Sequence, residues 1–252
     1  MAINRLSCNE DKTKILVMKH GRTEDELTFK IGDSYVEEST SEKLLGIWVS
    51  NTLNWSKHLE KLEKELSFRL YTLRKVEQGL PKSLLKRVAD GIFNSLIRYG
   101  LGIFCPIRMS ESDPNPTCID GIKVLFHDVL RLLCNSKKEN HTSIASMLEK
   151  TEWLSINQLA CEVRLIEVWK AMYQEDYCLK DVFERVENKS LRTRSSRQIK
   201  LKAMFKTRLR ETSYQLPSVL LWNAAPKQVT EAQTESKARG AIRQHVKNNI
   251  PI

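Results

Sequence analysis

The spacing of apolar positions changes once along the chain, near residue 54. Before it the pattern is that of strands. Lys14–His20 (KILVMKH) is an apolar, β-compatible run, and Leu27–Ile31 (LTFKI) alternates. Gly32 and Asp33 mark a turn, after which Ser34–Glu37 continues as a strand. Lys43–Val49 (KLLGIWV) predicts a fourth strand, with Gly46 inside it as a bulge or a close backbone approach.

From Asn54 the period is helical. Leu59, Leu62, Leu66, Leu70 and Leu73 step by three or four and lay one apolar stripe along a helix, with Asn54 or Ser56 as its cap. Gly79 closes the connection, and Pro81 opens a second helix at a position where its missing N–H costs nothing. Leu85, Val88, Ile92 and Leu96 predict the buried face of that helix, which Gly100 ends. Met109–Pro116 (MSESDPNP) is a loop by composition. Ile119, Ile122, Phe126, Val129 and Leu133 share a face of a third helix. Thr142 and Ser155 predict the caps of two more, over 143–150 and 156–174, and 179–187 predicts a short one. The stretch 230–248 is polar and helical. The expected fold class is α+β and predominantly α: a small antiparallel sheet over 14–49 on a helical body. The expected divisions are 1–53, 54–135, 136–188 and 189–252.

Charge adds a direction to this picture. The 252 residues carry a formal net charge of +10, which favours a polyanionic partner. The excess is uneven. Residues 1–44 hold 7 basic and 9 acidic side chains, 57–98 hold 10 and 5, and 189–210 hold 9 and none. The positive charge therefore lies on the helical part. The six cysteines form no Cys-x-x-Cys and read as small buried hydrophobes of a reducing compartment, so the location expected is intracellular, nuclear or cytoplasmic. No run of about 18 apolar residues occurs, so no membrane partner is expected. Phosphate-loop, dinucleotide and nucleophile-elbow motifs are absent, as is any Asp-Asp pair, and the five scattered histidines read as surface or core residues.

The order of the pieces carries a resemblance. NRLSCNEDKTKILVM, from Asn4, resembles the stretch that follows the catalytic hairpin in reverse transcriptases of non-LTR (LINE-type) retrotransposons. KLLGIWVSNTLNWSKHLEKL resembles the next block, where a strand, a Leu-Gly turn and a Trp lead into the first thumb helix. LPKSLLKRVADGIFNSLIRYGLGIF, IDGIKVLFHDVLRLL, SMLEKTEWLSINQLA and LLWNAAPKQV are similar to successive landmarks of the thumb and C-terminal tail. The chain thus opens where the end of a palm would lie, with the aromatic-x-Asp-Asp hairpin upstream of it.

The resemblance implies roles. Asn9, Lys12 and Thr13 match the family's Asn-x-x-Lys-Thr turn, whose Lys faces the departing pyrophosphate. Leu45, Gly46 and Ile47 match the primer-grip turn, with Leu44 where an aromatic is usual and Asn51 where Asp is common. Lys12 also reads as a solvated turn lysine, Gly46 as a simple bulge, and Trp55 and Trp222 as core anchors. No catalytic residue is expected in this chain alone, Lys12 becoming one only within a longer polymerase. No cofactor is expected here either, because the Mg²⁺ ions of polymerisation would sit on upstream carboxylates. The function the resemblance implies is that of a truncated or domesticated reverse-transcriptase remnant lacking the catalytic Asp-Asp hairpin, with non-catalytic binding to an RNA or DNA backbone, including an RNA–DNA hybrid. The candidate contacts are Lys57, Arg69, Arg74, Lys75, Lys82, Lys86 and Arg87 on the thumb-like helices. Arg192, Arg194, Arg197, Lys200, Lys202, Lys206, Arg208 and Arg210 form a second set in the basic linker. The alternatives are a protein-interaction module using an exposed palm edge, with an intact reverse transcriptase as partner, and the C-terminal part of a longer RNA-directed DNA polymerase.

Overall fold

In the computed structural model the described residues are 12–18, 28–31, 34–113, 117–137, 139, 141–186, 198–201 and 215–252. The chain divides into two compact units, Met1–Glu65 and Leu66–Ile252. The fold is α+β and predominantly helical, with small antiparallel sheets.

The first unit is built from hairpins. β1 (Thr28–Ile31) pairs antiparallel with β2 (Ser34–Glu37), Phe29 lying opposite Val36. β3 (Ser41–Leu44) pairs antiparallel with β4 (Ile47–Ser50), Leu44 opposite Ile47. The single strand expected over Lys43–Val49 is therefore a hairpin. Leu45 (φ 48°) and Gly46 (φ 91°) are both left-handed, as a two-residue type I′ turn requires. Gly46 is a turn residue and not a bulge. The strand expected over Lys14–His20 is also corrected. Among its described residues only Ile15 makes a bridge, to Glu38, where it accepts the Ser39 N–H at 2.8 Å. One bridge gives the run no ladder, so alternation has nothing to register against. Among the described residues of this unit the strands form two separate two-stranded sheets and not one sheet over 14–49.

α1 (Ser56–Val76) begins in this unit, where the Asn54 side-chain oxygen accepts the Ser56 N–H at 2.8 Å and closes the helix start. Leu59 and Leu62 are buried on it. In the second unit its stripe continues through Leu66, Leu70 and Leu73, all buried.

α2 (Lys82–Ala89), a π-helical turn (Asp90–Asn94) and α3 (Ser95–Arg98) form one continuous rod. Leu85 is buried as expected, but the stripe then runs through Ala89, Phe93 and Ile97, while Val88, Ile92 and Leu96 are half-buried. The π turn explains the one-residue shift. In an α-helix a spacing of four drifts about 40° per step, and the wider turn absorbs the surplus. Gly100 (φ 70°) then reverses the chain into α4 (Leu101–Phe104).

α5 (Asp120–Cys134) buries Ile122, Phe126, Val129 and Leu130, with Leu133 only half-buried, and ends on Asn135 in the left-handed conformation. α6 (Ile144–Thr151) is capped by Ser143, whose hydroxyl accepts the Ser146 N–H at 3.2 Å, so the cap is one residue after the expected Thr142. α7 (Ile156–Tyr173) starts on a full capping box between Ser155 and Gln158. The short helix expected over 179–187 is instead β5 (Phe183–Arg185), paired antiparallel with β6 (Ile199–Leu201). Buried Phe183 opposite Leu201 is a tertiary partnership that local propensity does not encode. α8 (Gln215–Ala224), α9 (Lys227–Thr230) and α10 (Glu235–Asn249) complete the unit.

α7 is the centre. It is apolar nearly all round, and α3, α4, α8, α10 and β5 all pack on it. Trp169 on α7 donates to the Ala232 carbonyl at 3.1 Å, and Trp222 on α8 is 2% exposed, so both tryptophans hold the C-terminal helices. Trp55 is half-buried.

Two outcomes test this fold. Leu45→Asn, which suits a left-handed turn position, raises hydrogen-exchange protection of the β3–β4 amides. Gly46→Val lowers it by about 1–2 kcal/mol, the cost of a side chain in that region. Burial pushes the Cys105 and Cys161 thiols up to about 12. In native protein at mildly alkaline pH a maleimide therefore labels exposed Cys178 and spares Cys105 and Cys161, which react only after unfolding.

Candidate nucleic-acid interface

The cations named from sequence fall into different surroundings. Lys57, in the first unit, stacks 3.9 Å over the Trp48 ring and donates to the Ser41 hydroxyl at 2.6 Å. Both contacts staple α1 to the β3–β4 hairpin. In the same unit Leu45 is 83% exposed at the hairpin tip, Ile47 is buried and Lys12 lies exposed beside half-buried Thr13. Asn9, Arg192, Arg194, Arg197, Lys202, Lys206, Arg208 and Arg210 lie outside the described residues. Lys200 sits on β6, 3.5 Å from the Glu184 carboxylate.

The second unit brings several of the others together. Arg74 at the end of α1 reaches Asp128 on α5 at 3.4 Å, and Arg131 reaches the other oxygen of that carboxylate at 2.9 Å. Lys82 bridges the Glu77 carboxylate at 2.7 Å and the Leu132 carbonyl at 3.1 Å, near the C-terminal end of α5. A cation there also complements the helix dipole. A shallow cleft of about 250 Å³ opens here, lined by Arg74, Glu77, Asp128, Arg131 and Lys137 among others. Arg74, Lys82, Arg131 and Lys137 are four cations against the two carboxylates Glu77 and Asp128, so two positive charges remain uncompensated at an open surface. The side chains of Arg74 and Lys82 are about half exposed, which leaves their remaining donors within reach of a phosphate.

Lys86 belongs elsewhere. It lines a larger cleft of about 530 Å³ with Arg98, Arg243 and Lys247. Its ammonium lies 3.1 Å from Glu152 and holds that carboxyl below the usual carboxylate range. Deeper in, Glu162 of α7 is 3% exposed and takes two guanidinium groups, Arg98 from α3 and Arg243 from α10, the latter at 3.3 Å. Arg243 also donates to the Glu152 carbonyl at 3.2 Å. The four cations face Asp90, Glu152 and Glu162, leaving one unit of charge. This cleft is a clamp between helices more than an anion trap.

Arg69 is half-buried, Arg87 is exposed, and Lys75 lies 5.4 Å from the Tyr71 ring centroid. Sequence reading missed Lys137, Arg98, Arg131, Arg243 and Lys247. The signal for the last two was their spacing of four along a polar helix, which puts both on one face. Arg98 and Arg131 carried none, because each lies in the last turn of a helix read only for its apolar stripe.

Among the described residues, no group of three His, Cys, Asp or Glu side chains is placed to hold a metal ion, and no helix is long and apolar enough to cross a membrane. No protein-family model, no curated protein and no solved structure matches the chain.

The clamp has an asymmetric energetic signature. Arg98→Met leaves a buried carboxylate one partner short and lowers unfolding stability by about 3 kcal/mol, whereas Glu162→Gln, which leaves two partly solvated guanidinium groups, costs about 1 kcal/mol. Urea unfolding of the two variants measures the order.

Proposed function

We propose that the chain is a non-catalytic nucleic-acid-binding module, derived from the thumb and C-terminal part of a non-LTR reverse transcriptase. The observation that carries this is the cleft lined by Arg74, Arg131 and Lys137, with Lys82 bonded to Glu77 at its edge, which sets four cations against two carboxylates at an open surface. Such a surface grips a phosphate backbone without reading bases. RNA or DNA is its partner, and an RNA–DNA hybrid is the duplex form it would meet in a thumb's setting. The work is done inside the cell, in nucleus or cytoplasm. Within a longer polymerase the same surface would steady the duplex, while Mg²⁺ and the chemistry would lie on upstream carboxylates.

A second reading rests on a different observation. In the first unit Tyr35, Leu44 and Leu45 are 73%, 65% and 83% exposed. Apolar side chains so exposed on short two-stranded sheets suit a protein partner that adds to the edge, such as an intact polymerase of the same family.

Fluorescence anisotropy on an RNA–DNA hybrid separates the two. Four phosphate contacts give a slope of log K against log salt of about −3.6, and Arg74→Ala with Arg131→Ala reduces it by about 1.8. Salt-independent binding, or none, overturns the backbone reading and leaves the protein partner.

A further inference from the structure

The stripe of α1 that faces away from the core is not what a merely solvated helix face requires. At about 100° per residue, Leu66, Leu70 and Leu73 point to one side, and Phe68, Tyr71 and Lys75 point to the other. Phe68 is 69% exposed and Tyr71 58% exposed. Two rings are thus held in water where packing has no use for them. They are three residues apart, with an axial rise of about 4.5 Å, of the same order as the rise of about 3.4 Å between successive bases in a strand. Cations flank them. The Lys75 ammonium lies 5.4 Å from the Tyr71 ring centroid, and Arg74, 56% exposed, stands beside it at the rim of the basic cleft.

We propose that Phe68 and Tyr71 form a stacking platform for unpaired bases, so that the module binds single-stranded nucleic acid in preference to duplex. The proposal rests on the backbone-binding reading and adds the strand state to it. A duplex hides the base faces that these rings would cover, whereas a single strand offers one π-face per nucleotide. Charge complementarity selects this occupant over an apolar protein surface. Tyr71 is bordered by Arg74 and Lys75, and desolvating those two against an uncharged partner would be unfavourable. A strand that stacks on Tyr71 instead brings its phosphates beside both.

The full chain is titrated with labelled oligo(dT), oligo(U) and an RNA–DNA hybrid of equal length, as parent, as Phe68→Ala/Tyr71→Ala and as Phe68→Tyr/Tyr71→Phe. Both positions are exposed, so all three proteins keep the same melting behaviour. The alanine pair is expected to lose roughly 10- to 100-fold in affinity for the single strands. It keeps its affinity for the hybrid and its salt slope, and the ring-preserving pair keeps strand binding. The oligo(dT) and oligo(U) arms distinguish DNA from RNA as the source of the strand. Equal losses on hybrid and strand, or no loss on the strand while salt-dependent hybrid binding persists, overturn the platform and leave the backbone reading standing. Absence of salt-dependent binding to every probe overturns that reading and the platform with it. So does a face whose alanine pair abolishes only association between copies of the chain.

Discussion

The buried carboxylate of Glu162 is the constraint on which the helical unit turns. It lies on α7, the helix that nearly every later element packs against, and it is 3% exposed. Removing a carboxylate from water costs several kcal/mol unless charge and hydrogen bonds meet it there. Arg98 and Arg243 meet it from two different helices, 64 and 81 residues away in sequence. A guanidinium satisfies a carboxylate only over a narrow range of geometry, so the pair fixes the register of α3 and α10 on α7. The same helix sets the far end of α10, where Gln158 donates to the Ile250 carbonyl at 3.0 Å. Apolar burial supplies the driving force, and these polar contacts choose one arrangement among the many an apolar helix would accept.

That division sorts the chain's positive charge. An Arg whose partner is a buried carboxylate is held by the fold and is a poor candidate for a ligand, because pulling it outward exposes the cost it was neutralising. Arg98 and Arg243 are of this kind. Arg74, Lys82 and Arg131 are paired with Asp128 and Glu77, whose side chains are 14% and 27% exposed against 4% for Glu162, so these pairs are less buried than the Glu162 clamp. On the proposed reading, a phosphate would compete more readily with Glu77 for Lys82 than with Asp128 for Arg74 and Arg131. Net charge gives the sign of the partner, and the burial of each cation's own counter-charge decides which cations meet it.

Much of the fold was legible because local rules governed it. The leucine stripe of α1, the Ser155 cap of α7 and the hairpin strands Thr28–Ile31 and Ser34–Glu37 follow from period and turn chemistry alone. Errors came where a rule gave way to a neighbour. The stripe after Leu85 slipped by one residue because a π turn lies within the rod, and nothing local in Asp90–Asn94 announces it. Phe183–Arg185 became a strand because Ile199–Leu201 pairs with it. Leu45 and Gly46 were read as part of one strand because Leu-Gly, unlike Asn-Gly, is a weak turn signal. The site was less legible than the fold. Lys82 and Arg74 were found by composition, but Arg131 joins them only because α5 carries Asp128 to the end of α1, a separation of 54 residues.

The aromatic face of α1 shows why the apolar pattern alone was insufficient. A periodic reading searches for the stripe that is buried and treats the remaining positions as solvent-facing. Phe68 and Tyr71 then vanish into the polar side of the wheel. The physical question is the reverse one: what holds two large rings in water beside Arg74 and Lys75, when a helix needs only small or charged residues there? Electrostatic attraction to phosphates is strong, long in range and blind to whether a strand is paired. Stacking is short in range and requires an uncovered base face. A surface that combines them distinguishes strand state without reading sequence. On the proposed reading, the cations of the cleft would set how tightly a nucleic acid is held, and the rings would set which form of it is held.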